Sequence, residues 1–277
     1  MTEKINPLLE QLKRIPGETY RLPSRGMFYH NGELDPEVKN GEVTIYPMTT
    51  VEELLMQTPD AIFQGTAIEK TIAACVPQVK KPRQLLALDI DFILTCIRKV
   101  SFGNDLPIKY KCKSCGEEAK EHEYLIPLSH FIKNTKEITK EDYENCIINL
   151  DDKFEVKLKP VIFEDLIKLM QLEGPREEQT TEEKIEALDK IFVESMASLI
   201  ERINTVEDKE QIKEFLSKLY RNLKEDLSTQ ITERNKWGIE FNYEITCKDC
   251  KKKENISMYL NPTSFFMLPS SRKIKKK

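Results

Sequence analysis

The sequence predicts an α+β fold, predominantly helical, on three observations. Residues 49–103 carry a succession of helix caps, helical apolar spacings and stop signals. Four short runs, at 108–111, 123–126, 241–245 and 255–260, have the alternating or β-rich character of strands. Two Cys-x-x-Cys pairs, Cys112 with Cys115 and Cys247 with Cys250, each fall between two of those runs. The chain has 277 residues, which suggests roughly two domains at ~150 residues each. A chain this long can bury a core without disulfides.

At the N-terminus, Asn6 is placed to cap a helix with Pro7 at its first position. Leu8, Leu9, Leu12 and Ile15 follow at helical spacing, and Pro16-Gly17 stops the run. This short amphipathic helix packs on its own domain or docks on a partner. Residues 18–47 form an extended arm. Leu22-Pro23-Ser24-Arg25-Gly26 has no helical period, and Glu42-Val43-Thr44-Ile45-Tyr46-Pro47 alternates as a strand does. Phe28 and Tyr29 lie in that arm and need something to bury against. Either the arm covers the helical module at 49–103, or these aromatics are partner-binding anchors on a neighbouring subunit.

In the helical module (49–107), Thr50 with Glu53 fits a capping box ahead of Leu54 and Leu55. Thr58-Pro59-Asp60 starts a second helix and Gly65 stops it. Thr66 opens a third through Ile68, Ile72 and Cys75. Asp89 is expected to cap a fourth, which carries Ile90, Ile93, Leu94 and Ile97 to Gly103. Asp89 and Asp91 could form an Asp-x-Asp metal pair, but Asp is the ordinary residue at a helix N-cap and first turn. Cys75, Cys96 and Cys146 sit among apolar residues and read as buried small hydrophobes.

A third region, 127–238, opens with a hairpin at 145–159 that turns at Asp151-Asp152. A helix over 163–172 follows. Two longer helices come next, one carrying Ile185, Leu188, Phe192, Met196, Leu199 and Ile203, the other Ile212, Phe215, Leu216, Leu219, Leu223 and Leu227. Their short connection near Asn204-Thr205 predicts an antiparallel helical hairpin. Phe265 and Phe266 stand near the end as further partner-binding candidates. The last segment, 269–277, is a basic tail expected to be solvated or partner-bound.

The cysteine pairs carry the strongest chemical signal. Strand, knuckle, strand occurs twice, and two facing knuckles supply four thiolates, the donor set of a tetrahedral structural zinc. A redox pair would instead place its reactive cysteine at a helix N-terminus in a βαβ setting, and neither pair has one. Between Cys115 and Cys247 lie 131 residues. The implied arrangement is a discontinuous zinc-ribbon-like module, 108–126 with 239–268, around an inserted 127–238. Lys109, Lys111, Lys113, Lys248, Lys251, Lys252 and Lys253 crowd the knuckles. They suit a nucleic-acid-binding ribbon, or they compensate the −2 charge that four thiolates leave on one zinc(II).

Composition narrows the function. Formal net charge is −4, with 43 Lys+Arg against 47 Asp+Glu. Five basic residues fall within 272–277, so the rest of the chain is near −9. That opposes general nucleic-acid binding, which needs many cationic phosphate contacts. No apolar run approaches the ~20 residues that span a bilayer, so no membrane insertion is expected, and the start lacks the apolar core of a secretory signal. Cysteines number seven, an odd count that with the Cys-x-x-Cys pairs reads as a reducing compartment. Three histidines, nine glycines and no phosphate-loop, dinucleotide or nucleophile-elbow motif argue against an enzyme.

The order of several short motifs resembles one family. Leu22-Pro23-Ser24-Arg25-Gly26-Met27-Phe28-Tyr29 precedes Val43-Thr44-Ile45-Tyr46-Pro47-Met48-Thr49. Then come Glu53-Leu54, Thr58-Pro59-Asp60-Ala61-Ile62-Phe63-Gln64-Gly65, Cys75-Val76-Pro77, Asp91 to Arg98, Ser101-Phe102-Gly103 and the first Cys-x-x-Cys. Leu158-Lys159-Pro160, Phe163-Glu164-Asp165-Leu166, the second Cys-x-x-Cys and Leu260-Asn261-Pro262-Thr263-Ser264-Phe265-Phe266 complete the set. The chain resembles the baseplate hub subunit family of T-even-type contractile-tailed bacteriophages, from about residue 20 to 268. That resemblance implies a structural, non-catalytic protein of the virion tail baseplate, assembled in the host cytoplasm. Its partners would be other phage baseplate and tail proteins. A hub assembly factor that leaves the finished virion, and a zinc-ribbon nucleic-acid binder, are the alternatives.

Overall fold

The computed structural model describes residues 16–266, apart from Asn145 and Asn235. The expected N-terminal helix at 6–15 and the basic tail at 269–277 lie outside the described residues. The fold is α+β, with small antiparallel sheets among helices. Among the described residues no helix is long and apolar enough to cross a membrane.

β1 (Glu18–Arg21) pairs antiparallel with β2 (Glu42–Ile45), Tyr20 opposite Val43. The loop between them folds back so that the Leu22 N–H donates to the Gly41 carbonyl at 3.0 Å. Gly41 has a φ of +67°, and a Cβ there would stand 2.7 Å from the Arg25 carbonyl carbon and 2.8 Å from the Gly26 nitrogen. Both obstacles are backbone and cannot rotate away. Gly41→Ala is therefore expected to cost roughly 3 kcal/mol, left-handed strain plus the clash, read as a lowered melting temperature.

Three helices follow: α1 (Thr50–Leu55), α2 (Pro59–Phe63) and α3 (Thr66–Cys75). The capping box of α1 is Thr49 with Glu52, one residue earlier than the sequence suggested. The Glu52 carboxylate accepts from the Thr49 N–H at 2.7 Å. α4 (Ala87–Phe102) starts two residues before Asp89, so Asp89 is not its cap. Its carboxylate instead turns into the core, where it accepts from the Ser24 N–H at 3.0 Å and the Tyr29 hydroxyl at 2.6 Å. The Tyr29 oxygen in turn accepts from the Leu86 N–H at 3.0 Å. This buried network fixes the arm onto the start of α4.

Two hairpins frame the rest. β3 (Asp105–Lys111) pairs with β4 (Glu121–Pro127), and β8 (Asn242–Thr246) with β9 (Lys253–Ser257). Short helices α5 (Leu128–Lys133) and α6 (Lys140–Glu144) follow β4. β5 (Ile147–Leu150) and β6 (Phe154–Leu158) form the expected hairpin, with Asp151 and Asp152 at positive φ in its turn. Next come α7 (Phe163–Met170) and α8 (Thr181–Leu199).

The helical-hairpin expectation needs correction at two places. Ile203 is not helical. α8 ends at Leu199, and β7 (Ile200–Ile203) adds to β6 as a third strand, order β5-β6-β7. The second long helix is two helices, α9 (Lys209–Lys218) and α10 (Arg221–Arg234), broken where Leu219 is extended. The last element among the described residues is α11 (Pro262–Phe266).

Buried apolar residues fall into two main clusters. One joins the arm, α3, α4 and α7 to Ile126, Ile245, Ile256, Phe265 and Phe266. The other joins β5, β6 and β7 to α8, α9 and α10. A smaller third cluster centres on Leu86, Ile138 and Trp237. Cys75 and Cys96 are buried as expected, and burial pushes the Cys75 thiol up to about 12. Cys146 is half-buried, its thiol donating to the Asp142 carbonyl.

Candidate metal centre

The two hairpins bring four sulfurs together across a gap of 131 residues in the chain. β3 delivers Cys112, and two short 3-10 turns within Lys113–Glu118, kinked at Gly116, carry Cys115. β8 delivers Cys247, and a turn closed by the Cys247 N–H on the Lys252 carbonyl at 2.9 Å carries Cys250. The residue after the second cysteine of each pair is in the left-handed region, Gly116 at φ +65° and Lys251 at +61°.

The Sγ atoms of Cys112 and Cys250 are 3.7 Å apart and those of Cys115 and Cys247 3.8 Å. All four lie within 4.8 Å of one another. No pair is at bonding distance, and all seven cysteines are free. A tetrahedron with Zn–S bonds of ~2.3 Å has S···S edges of ~3.8 Å. The donor set and its spacing fit one tetrahedral zinc(II).

Polar contacts cross between the hairpins around the sulfurs. The Glu254 carboxylate accepts from the Ser114 N–H at 2.8 Å, the Lys113 N–H at 3.2 Å and the Tyr110 hydroxyl at 2.9 Å. It also accepts from the Cys112 thiol at 3.2 Å. The Ser114 hydrogen bonds, with Cys112 and Tyr110, hold the Glu254 carboxyl down at about 2. His122 Nε2 meets Asp249 Oδ2 at 2.6 Å. The Lys248 N–H donates to the Tyr124 hydroxyl at 3.3 Å. Within the cluster, the Cys250 N–H holds the Cys247 thiol down at about 7, whereas burial pushes the Cys112 thiol up. Metal loading removes those thiol protons.

The sequence pointed to the four cysteines but not to this outer ring of Glu254, Tyr110, His122 and Asp249. The available signals were faint: one acid directly after the lysines at 251–253, and one inside the second Cys-x-x-Cys. Several of the crowding lysines are occupied locally. Lys253 pairs with Glu244 at 2.7 Å and Lys109 with Glu121 at 4.0 Å. Lys248 donates to the Glu123 carbonyl at 2.6 Å and lies over the Tyr124 ring. Tyr110, Tyr124 and Tyr243 pack against the first core, so only Tyr259 of the four ribbon tyrosines stands clear of the protein. Three of the four ribbon tyrosines thus serve the protein's own packing rather than forming a base-stacking platform.

The four aromatic partner candidates are engaged within the chain. Phe265 and Phe266 are buried in the first core, with the Arg98 guanidinium 5.3 Å from the Phe265 ring. Phe28 stacks on Trp237, ring centroids 6.2 Å apart, and Tyr29 belongs to the Asp89 network. Within the chain the arm's aromatics thus meet Asp89 of the helical module and Trp237, which lies outside that module.

A family model described as T4 bacteriophage base plate protein matches residues 29–267. No curated protein and no solved structure matches the chain.

Proposed function

Because the chain belongs to the T4 bacteriophage base plate protein family, we propose that it is a structural subunit of the baseplate hub that works through protein–protein contacts and has no catalytic step. Family membership places it in the tail baseplate, in a structural or assembly role. The observation that carries the proposal is the extent of the match, which takes in most of the arm, the first core cluster except Leu22, the whole second cluster and both cysteine pairs.

Zinc(II), when bound by Cys112, Cys115, Cys247 and Cys250, supplies four bonds and leaves no open coordination position. The chain's own residues do the rest. Ile126, Ile245 and Ile256 anchor the two hairpins in the first core. Glu254 ties β9 to the first knuckle, and Asp249 ties the second knuckle to β4. The centre is thus a staple between distant parts of the chain, suited to a subunit that must hold its shape inside an assembly.

The test is a density map and a quantitative mass-spectrometric inventory of purified phage tails. The chain is expected in the hub at fixed stoichiometry. If it is found on assembly intermediates and missing from finished tails, the assembly-factor reading replaces the subunit reading. Salt-sensitive retention of DNA or RNA by the purified chain would favour the nucleic-acid reading.

A further inference from the structure

The second core stops short of the first half of α8. Ile185 and Leu188 lie one turn apart on one helix face and are 60% and 55% exposed. The same stripe continues into Phe192, Val193 and Met196, which pack into the second cluster. One amphipathic face therefore begins in solvent and ends in the core. α10 reaches this helix through the Lys224 ammonium on Asp189, at 2.6 Å. Between residues 173 and 190 there are seven acids against three bases, and Glu177, Glu178, Glu182 and Glu186 are exposed.

An apolar strip with an acidic rim selects its occupant by charge. It repels a second copy of itself and repels nucleic acid. It suits a segment that combines cations with a few apolar side chains. The chain contains such a segment. Residues 267–277 read Met-Leu-Pro-Ser-Ser-Arg-Lys-Ile-Lys-Lys-Lys, with five cations, no acid, and Met267, Leu268 and Ile274 as apolar groups. We propose that the exposed first half of α8 is a docking surface for the basic C-terminal segment, residues 267–277, of this chain. Its lysines and arginine meet the acidic rim, and its apolar residues cover Ile185 and Leu188.

Zero-length carbodiimide cross-linking of the full-length chain, mapped by mass spectrometry, tests this. The expected links join Lys273, Lys275, Lys276 or Lys277 to Glu182 or Glu186. Their yield should fall about tenfold between ~0.1 M and ~1 M salt, as the screening length drops from ~10 to ~3 Å. Mixing isotopically light and heavy chains reads whether the segment comes from the same or a neighbouring copy, and either result seats the same segment. A second variant separates docking from charge alone. Ile185→Ser with Leu188→Ser leaves every charge in place, and circular dichroism verifies its fold. Its cross-link yield should drop several-fold. Links scattered over the chain's acids in proportion to exposure, or an unchanged yield in that variant, would overturn the proposal.

Discussion

Cys247→Ser is expected to remove one equivalent of zinc per chain and to destabilise the protein strongly. Serine cannot supply the thiolate, and three sulfurs leave the tetrahedron open. The staple closes a loop that contains the 131 residues between Cys115 and Cys247. A cross-link over a loop of that size removes roughly 5 kcal/mol of unfolded-chain entropy at most. The Glu254 and Asp249 contacts already hold the hairpins together in part, so the expected loss is about 3–5 kcal/mol. Elemental analysis of protein purified under reducing conditions, with melting curves with and without a chelator, provides the check. Wild-type protein with no stoichiometric metal, or a melting curve that chelator leaves unmoved, would contradict the staple.

The contribution of Asp89 to stability is also expected to fall as pH rises from about 4 to about 7. Burial lifts its carboxyl from 3.8 to about 6, against the opposing hydrogen bonds from Ser24 and Tyr29. The folded state thus keeps a proton that the unfolded state releases. The stabilisation is complete below pH ~4 and is lost as pH passes about 6. A shift of this size corresponds to about 3 kcal/mol. Asp91 is lifted to about 6 by burial as well and acts in the same direction.

Two variants separate the roles of Asp89. Asp89→Asn keeps an acceptor for the Ser24 N–H but has no proton to lose, so the pH dependence should shrink while Asp91 retains its part. Asp89→Ala leaves the Ser24 N–H and the Tyr29 hydroxyl without their buried acceptor. The expected cost is about 3 kcal/mol or more at every pH. Urea unfolding at pH 5 and pH 7 reads both. Equal slopes for wild type and Asp89→Asn would show that another group carries the dependence.

The candidate metal centre was legible because its information is local. Two residues between cysteines, and strand-like runs on both sides, state the knuckle without reference to the rest of the chain. The hairpin at Ile147–Leu150 and Phe154–Leu158 was legible for the same reason, since its turn and its alternation are contiguous. Asp89 departs from its N-cap expectation because that preference is a local rule, outweighed by two donors from the arm, more than 50 residues earlier in the chain.

Residues 200–203 make the division clear. Ile200 and Ile203 continue a helical stripe with Met196 and Leu199, so the sequence alone favours helix. They are strand because β6 offers an open edge and pairing there buries both isoleucines. By itself the sequence determined the α+β class, the helix starts and stops marked by Pro and Gly, and the four sulfurs that can share an ion. Tertiary structure decided that β7 joins the sheet, that α9 and α10 separate at Leu219, that the arm's aromatics turn inward, and that Glu254 and Asp249 surround the sulfurs. The physical reason is range. Caps, turns and knuckles are settled by neighbours a few residues away, whereas edge pairing and buried hydrogen bonds depend on which distant surface arrives to meet them.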